Sequence, residues 1–168
     1  DTGTYTIEVT HTTSGVSIYS SELEINAPAD KAANLQSATY TQERGAFIEF
    51  TVELSETDEA TINFGSDDEG VEANVTVEDD DDDDQVTVYL NTYQTDNALP
   101  GSSGANVFYL DDDSDDNIVD QSLDQQPNGE LIEAGDYDLE VQAGDLDNGP
   151  GAVGANVGLE SSDDVATV

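Results

Sequence analysis

The sequence predicts an all-β fold: an antiparallel immunoglobulin-like β-sandwich, preceded by an N-terminal hairpin that belongs to, or completes, a neighbouring domain. Three observations carry this prediction. Apolar and polar residues alternate in blocks of strand length, turn-forming residues follow each block, and no stretch has the period of an amphipathic helix. Many short strands between frequent turns are typical of a sandwich, and no pattern of corner glycines favours a closed barrel.

The clearest strand is predicted at 135–141. Three apolar residues alternate there with three acidic ones, in the order Gly-Asp-Tyr-Asp-Leu-Glu-Val. This period of two predicts a strand with one buried face and one hydrated face. Tyr137 stands where sandwiches of the immunoglobulin type often keep a corner tyrosine.

The same strand pattern opens the chain. Residues 3–9 read Gly-Thr-Tyr-Thr-Ile-Glu-Val, which matches 135–141 position by position in chemical type. In both copies a polar loop that contains glycine comes next, followed by a second extended run, at 16–25 and at 153–159. The repetition predicts that the chain opens with the last two strands of one domain and continues through a full domain that ends in the same hairpin, as in a tandem array.

The predicted domain organisation follows from this repeat. Residues 1–26 form the hairpin, with a bulge or kink at Ser20–Ser21, because the inward-facing set changes parity there. Residues 27–30 form a linker, in which Pro28 cannot continue a ladder. Residues 31–160 form the sandwich, and 161–168 form a tail or the link to a next domain.

Within 31–160, alternation predicts strands at 47–54, 60–64, 71–77, 86–90, 107–110, 135–141 and 153–159. Residues 32–40 fit either a short strand or a turn of helix, and a turn is predicted at 42–45. Residues 91–104 are predicted to be a long loop, and 118–128 to be irregular.

The charge of the chain is extreme. Its 168 residues include 40 acidic side chains and two basic ones, Lys31 and Arg44, for a formal charge of -38. In ordinary buffer this charge with modest hydrophobicity is typical of disorder. Concentrated salt reconciles it with the strand pattern, because the Debye length falls to about 3 Å at 1 M. The composition therefore predicts a protein of a hypersaline habitat, with a mesophilic acidic domain or calcium-binding module as the alternative.

The same charge limits the partners. Phosphate would meet carboxylate everywhere, so DNA and RNA are excluded, and direct docking on anionic lipid is disfavoured. The expected partners are cations and copies of the chain itself or adjacent domains of the same chain. The absence of cysteine excludes disulfides and thiolate metal sites. No stretch is apolar enough to span a bilayer and no signal peptide is visible, so direct membrane insertion of this segment is not expected.

Catalysis is not predicted. The only histidine, His11, lies in a polar turn, and no Gly-x-Ser-x-Gly elbow accompanies it. Carboxylate pairs for glycoside hydrolysis exist by number alone. A thin sandwich with few aromatic residues, however, offers little material for the apolar pocket that would tune one of them.

Two acidic loops are candidate metal sites. Carboxylate oxygens in flexible loops are the ligands that Ca²⁺ or Mg²⁺ takes, although neither loop matches an EF-hand. The alternative is a solvated loop with diffuse counter-ions; no other cofactor is required. The candidate ligands are Asp79, Asp80, Asp81, Asp82, Asp83 and Asp84 in the first loop, and Asp111, Asp113, Asp115 and Asp116 in the second.

Asn74 is a candidate glycosylation site. Asn74-Val75-Thr76 is the only Asn-x-Ser/Thr sequence in the chain. The odd-numbered residues of its strand are predicted to face inward, so the Asn74 side chain is expected to face solvent.

Five strand phrases follow one another along the chain: RGAFIEFTVEL from Arg44, DEATINFGSDD from Asp58, EANVTV from Glu72, VTVYLNTY from Val86 and AGDYDLEV from Ala134. In this order they resemble the repeated β domains of haloarchaeal cell-surface and S-layer glycoproteins. The resemblance covers most of residues 40–160 and implies an extracellular location, a structural role in the cell envelope and tandem domains, with no catalytic residues. The signal sequence, Thr-rich stalk and membrane anchor of such proteins are not in this chain.

The leading interpretation is therefore a structural piece of an S-layer or surface filament, a self-assembling glycoprotein. Its hairpin either ends a preceding domain or completes a neighbour's sheet by strand addition. The rival interpretation is a calcium-dependent adhesin or carbohydrate-binding module of a secreted protein. That role would use the loose aromatic cluster of Tyr89, Tyr93, Phe108 and Tyr109, which core packing explains equally well.

Overall fold

The computed structural model describes residues 3–25, 30–96, 106–127, 130–144 and 153–161. The chain divides into two compact units, Asp1–Asp30 and Lys31–Val168. The described part of the first unit, residues 3–25, is called the ribbon below, and the described part of the second is called the sandwich. No helix among the described residues is long and apolar enough to cross a membrane.

The ribbon contains four short strands in two antiparallel pairs. β1 pairs with β4, and β2 pairs with β3. Between the pairs the ladder is interrupted at Ile7 and Ser20, where the Ser20 N–H donates to the Ile7 carbonyl at 2.9 Å and the Ile7 N–H donates to Ser20 Oγ at 2.9 Å. The break coincides with the predicted change of parity. The strands are β1 Gly3–Tyr5, β2 Glu8–Thr10, β3 Ser17–Tyr19 and β4 Leu23–Ile25.

The sandwich contains ten strands and one short 3-10 turn, Asp67–Glu69. Its longest strands are those in which apolar side chains alternate most regularly. The strands are β5 Ala32–Leu35, β6 Thr39–Glu43, β7 Phe47–Ser55, β8 Glu59–Ser66, β9 Val71–Glu78, β10 Gln85–Asn91, β11 Phe108–Leu110, β12 Asn117–Gln125, β13 Gly135–Ala143 and β14 Val153–Glu160.

These strands form two sheets. One has four strands in the order β11-β10-β7-β5, and the other has six in the order β12-β9-β8-β13-β14-β6. All pairs are antiparallel except β14 with β6, which is parallel. The predicted all-β class is confirmed, and the antiparallel prediction holds for every pair but this one. The immunoglobulin-like type stays a prediction.

Both sheets contribute to one hydrophobic core, as in a β-sandwich. Phe50 and Val88 of the four-stranded sheet and Phe64, Val75 and Leu139 of the six-stranded sheet are all buried in it. Each follows the period of two that its strand shows in the sequence. Because burial removes apolar surface from water, this shared core is the main source of stability for the unit.

The predicted strand at 135–141 is confirmed as part of β13. Tyr137, Leu139 and Val141 are buried, and the acidic residues between them are exposed. Tyr137 also donates a hydrogen bond from Oη to the carbonyl of Glu133 at 2.9 Å. A tyrosine that bonds to the backbone a few residues upstream is the feature expected of a corner tyrosine.

Two stretches differ from the sequence prediction. Residues 32–40 contain no helix: β5 lies in the four-stranded sheet and β6 in the six-stranded one, so the chain changes sheets between Leu35 and Thr39. The sequence predicts irregular structure at 118–128, but β12 covers 117–125. This strand has register shifts between Ile118 and Asp120 and between Leu123 and Gln125, which break its apolar period. The predicted linker at 27–30 and the predicted loop at 91–104 lie partly outside the described residues, and the predicted tail at 161–168 lies outside them except for residue 161.

Candidate functional site

The first acidic loop, 79–84, connects β9 to β10 and so crosses from the six-stranded to the four-stranded sheet. Six consecutive aspartates repel one another and cannot extend the ladder, so the strand ends at Glu78. Asp82 and Asp84 adopt positive φ values of 59° and 63°, a conformation that aspartate tolerates better than most residues. The Asp79 N–H donates to the Asp58 carbonyl at 2.8 Å, and the Asp84 N–H donates to Asp79 Oδ2 at 2.8 Å. The loop therefore has a defined backbone.

The second acidic loop, 111–116, connects β11 to β12 and crosses back to the six-stranded sheet. The Asp113 N–H donates to Asp111 Oδ1 at 3.2 Å, and Ser114 Oγ donates to Asp116 Oδ2 at 2.8 Å. Asn117, directly after the loop, donates from Nδ2 to Asp80 Oδ2 at 2.6 Å. This last hydrogen bond joins the two loops.

The structure brings three of the predicted metal ligands together. One carboxylate oxygen each of Asp79, Asp81 and Asp116 lies within 4.8 Å of the other two. Asp79 is 5% exposed, Asp116 is half-buried and Asp81 is exposed. The remaining candidates do not belong to this cluster: Asp80, Asp82, Asp83 and Asp84 in the first loop, and Asp111, Asp113 and Asp115 in the second.

The cluster contains buried oxygens without a donor. Asp79 Oδ1 and Asp116 Oδ1 are buried and accept no hydrogen bond, although the second oxygen of each carboxylate does accept one. Loss of hydration, followed by the charges of Asp83 and Asp116, raises the pKa of Asp81 above its ordinary value. Both observations describe a place where negative charge is concentrated and incompletely compensated.

An aromatic patch lies on the outer face of the four-stranded sheet. Tyr89 and Tyr109 are cross-strand partners, and Phe47 packs edge-on against Tyr109 with ring centroids 5.9 Å apart. Loss of hydration, then the neighbouring carboxylate of Glu49, raises the pKa of Tyr89. An open depression beside the patch is lined by Tyr89 together with Asp81, Asp111 and Asp116. Of the predicted aromatic cluster, Phe108 is instead buried in the core and Tyr93 is half-buried.

Asn74 lies in β9 between β8 and β12, with its side chain half-buried. Its amide nitrogen donates to Asp124 Oδ2 at 2.8 Å, and its amide oxygen accepts from Asn63 Nδ2 at 2.7 Å. The amide is therefore part of a side-chain ladder across three strands. Asn74 as a glycan acceptor stays a prediction.

The ribbon has one polar and one apolar face. On the polar face Tyr19 Oη donates to Glu8 Oε1 at 2.9 Å, and Thr10 Oγ1 lies 2.6 Å from Ser17 Oγ. On the other face Val9 and Ile18 are direct cross-strand partners, with 58% and 65% of their surfaces exposed. A two-stranded ladder is marginal in water when nothing covers its apolar face.

Sequence reasoning missed two contributors. Gln121 of β12 accepts at Oε1 from the backbone N–H groups of Val107 and Phe108, at 3.0 and 3.1 Å, and so holds β11 in place. Asn117 links the acidic loops, as described above. The sequence places Asn117 directly after an aspartate run, which is the one signal that could have identified it; nothing comparable marks Gln121.

The chain matches one protein family and several named relatives. The family described as a domain of unknown function, DUF7827, matches residues 25–144. The chain is 36% identical over 144 residues to a cell surface glycoprotein of Haloferax gibbonsii, and 30% identical over 148 residues to cell surface glycoprotein 1 of Haloarcula hispanica. It is also 30% identical over 155 residues to cell surface glycoprotein 2 of Haloarcula hispanica.

Each of these alignments covers 86% of the chain and 16% of the relative, so the chain spans about a sixth of the length of the curated relatives it matches. No solved structure matches the chain.

Proposed function

Because the chain belongs to the DUF7827 domain family and is similar to haloarchaeal cell surface glycoproteins, we propose that it is a structural β-domain segment of an extracellular surface assembly of a halophile. The assembly is an S-layer or a surface filament, and the segment has no catalytic role. The relatives support the surface location through their names. The mode of assembly rests on the ribbon and the charge of the chain.

The charge fits a function in brine. A formal charge of -38 opposes both folding and association in dilute buffer, yet the sandwich has a continuous apolar core. Screening at molar salt removes most of the repulsion between exposed carboxylates. Self-association of such chains is therefore compatible with concentrated salt and disfavoured without it.

The single observation that carries the assembly proposal is the apolar face of the ribbon. The polar face is already satisfied by hydrogen bonds, while Ile7, Val9, Val16 and Ile18 each expose more than half of their surface. Full burial of one such side chain contributes roughly 1.5–3 kcal/mol. Burial of this face by a partner therefore stabilises the ribbon, and the same buried surface contributes to the affinity between the two.

We take the partner to be a second copy of this chain. The ribbon strand pattern 3–9 has the same chemical order as β13, which in the sandwich lies between two strands, β8 and β14. A sheet of this protein is thus already built to accommodate that pattern. In this arrangement the ribbon of one chain binds the next chain, either by packing on one of its sheets or by adding a strand to the edge of that sheet.

The test compares the oligomeric state of the 168-residue chain and two variants in molar KCl, by light scattering after size exclusion. The wild type is expected to self-associate with rising concentration and salt. The double variant Val9→Thr, Ile18→Thr keeps β-branched residues but removes apolar surface, and is expected to stay monomeric. The matched control is Val119→Thr, because Val119 is 55% exposed on β12 and outside the ribbon. A monomeric wild type, or equal loss of association in the control, would overturn the proposal.

A second candidate function has one observation in its favour. The patch of Phe47, Tyr89 and Tyr109 lies beside the acidic loops, as an aromatic platform for a sugar ring would. A calcium-dependent adhesin or carbohydrate-binding module would bind defined glycans in high salt through this patch. Glycan-array binding that Tyr109→Ala abolishes would support this function, and an array without signal would remove it.

A further inference from the structure

The two acidic loops present a site for one cation. We propose that Asp79, Asp81 and Asp116 bind a single Ca²⁺ ion, which fastens the two loops that cross between the sheets. The inference is independent of the proposed surface function, because it concerns the stability of the sandwich itself.

The position of the three carboxylates in the topology gives the site its role. Asp79 directly follows β9 of the six-stranded sheet, Asp81 lies in the loop that leads to β10 of the four-stranded sheet, and Asp116 directly precedes β12. The connections 79–84 and 111–116 therefore cross between the sheets at the same end of the sandwich. An ion bound by both connections therefore links two loops that are far apart in the sequence, with β10, the 91–104 stretch and β11 between them.

The unpaired oxygens point to a ligand that is a cation. Asp79 is almost fully buried, and its Oδ1 atom accepts no hydrogen bond. The Oδ1 atom of Asp116 is also buried and also accepts no hydrogen bond. A buried carboxylate without compensation is costly, so such groups pair with a positive charge or coordinate a metal. The two oxygens belong to the very carboxylates that converge within 4.8 Å.

The chemistry of the donors selects the class of ion. All three are carboxylates, which suit hard cations and not the softer transition metals that favour histidine or cysteine. Carboxylate oxygens that all lie within 4.8 Å of one another can contact one such ion together. Of the two hard cations, Ca²⁺ accepts irregular coordination more readily, whereas Mg²⁺ demands a near-ideal octahedron and gives up its waters reluctantly.

The loops are already arranged for this role. Asn117 joins them by its 2.6 Å hydrogen bond to Asp80, and the backbone of Asp79 is tied to Asp58. The ion therefore meets a site that needs little ordering. Its effect should appear as added stability of the whole sandwich, because ligand bound only by the folded state shifts the unfolding equilibrium.

The test uses the full 168-residue chain, freed of divalent cations by a chelator and kept in molar KCl. Titration with CaCl2 in a calorimeter is expected to show one saturable site per chain, and the melting temperature by circular dichroism to rise by about 5–10 °C at a hundredfold excess over Kd. MgCl2 is expected to bind more weakly. No saturable binding, or no shift in melting temperature, would overturn the proposal.

Matched variants locate the site. Asp116→Asn and the exposed Asp81→Asn are expected to weaken Ca²⁺ binding at least about tenfold. Asp112→Asn removes the same charge from an exposed position of the second loop outside the cluster, and is expected to bind as the wild type does. Equal weakening in Asp112→Asn would mean diffuse condensation on the loops and would overturn the proposal.

Terbium provides a second readout that does not depend on stability. Tyr89 lines the depression that also contains Asp81 and Asp116, so a bound Tb³⁺ ion should be excited through it. Ca²⁺ is expected to quench the signal by competition, and Tyr89→Phe to reduce the signal while leaving calorimetric Ca²⁺ binding intact. A Tb³⁺ signal that persists in Asp116→Asn would place the ion elsewhere.

Discussion

The ribbon and the last hairpin of the sandwich contain the same seven-residue strand pattern, but its apolar residues are exposed in the ribbon and buried in the hairpin. In β13, Tyr137, Leu139 and Val141 are 5%, 0% and 0% exposed, because β8 and β14 flank the strand and a second sheet covers it. The equivalent residues of the ribbon, Tyr5, Ile7 and Val9, are 41%, 57% and 58% exposed. The strand pattern alone thus does not determine whether its apolar residues are buried; the neighbouring strands do.

The largest expected effect separates these two copies directly. Leu139→Ala removes a fully buried side chain and is expected to lower the free energy of unfolding by about 2–5 kcal/mol. Ile7→Ala occupies the equivalent ribbon position and is expected to change it by less than about 0.5 kcal/mol, while weakening self-association. Urea denaturation in molar KCl measures both. Equal losses would mean that Ile7 is as buried as Leu139.

Glycine gives a second matched pair. Gly65 and Gly15 both have positive φ, 76° and 69°. A Cβ atom at Gly65 would overlap with the carbonyl oxygen of Val71, whereas a Cβ at Gly15 would meet nothing within 4 Å. Gly15→Ala should therefore cost only the left-handed backbone conformation, about 1–2 kcal/mol locally, and Gly65→Ala about 3 kcal/mol or more. Melting temperatures of the two variants would show whether the order holds.

The hydroxyl groups of two tyrosines, one in the sandwich and one in the ribbon, provide a third comparison with a smaller expected effect on the free energy of unfolding. Tyr137→Phe removes a partly buried hydrogen bond to the Glu133 carbonyl and is expected to cost about 1 kcal/mol. Tyr19→Phe removes an exposed hydrogen bond to Glu8 and is expected to leave the free energy of unfolding within about 0.5 kcal/mol of the wild type. Urea denaturation of the two variants side by side provides the comparison; a reversed order would contradict it.

The smallest expected effect is the pH response of the ribbon. Hydrogen bonds from Ser17 and then from Tyr19 hold the pKa of Glu8 below its ordinary value of 4.5. Ionised Glu8 therefore stabilises the ribbon above that pH, and the contribution is lost as the pH falls through the lowered pKa. Carbon-13 NMR titration of the Glu8 carboxyl measures the shift. In Tyr19→Phe the pKa of Glu8 is expected to move back towards 4.5, and an unchanged value would contradict the assignment.

Much of the sandwich could be predicted from sequence because a half-buried strand shows itself by a period of two. The strands β7, β8, β9, β10 and β13 all show it, and all contribute alternate residues to the core. β12 could not be predicted because it lacks this period of two. Its shifts of register move the inward positions from Ile118 to Gln121 and Leu123, so no period survives in the sequence.

The sequence identifies the two acidic loops of the proposed cation site, but not which of their aspartates lie together. Eleven aspartates in two loops are visible in the sequence, but only Asp79, Asp81 and Asp116 converge. Which ones converge depends on the order of strands in the sheets, since that order brings the two crossings to the same end. The change of sheet between β5 and β6 was hidden in the same way, because nothing in the three residues 36–38 indicates which sheet the next strand joins.

The parallel pairing of β6 with β14 has a mechanical consequence. The chain enters β6 from its N-terminal side and leaves β14 at its C-terminal side, and the two strands share hydrogen bonds along Thr39–Glu43 and Asn156–Glu160. Tension applied in opposite directions at the start of β6 and at the end of β14 therefore shears these bonds together, instead of opening them one after another. Single-molecule pulling between these two points would register that shear as one abrupt rupture.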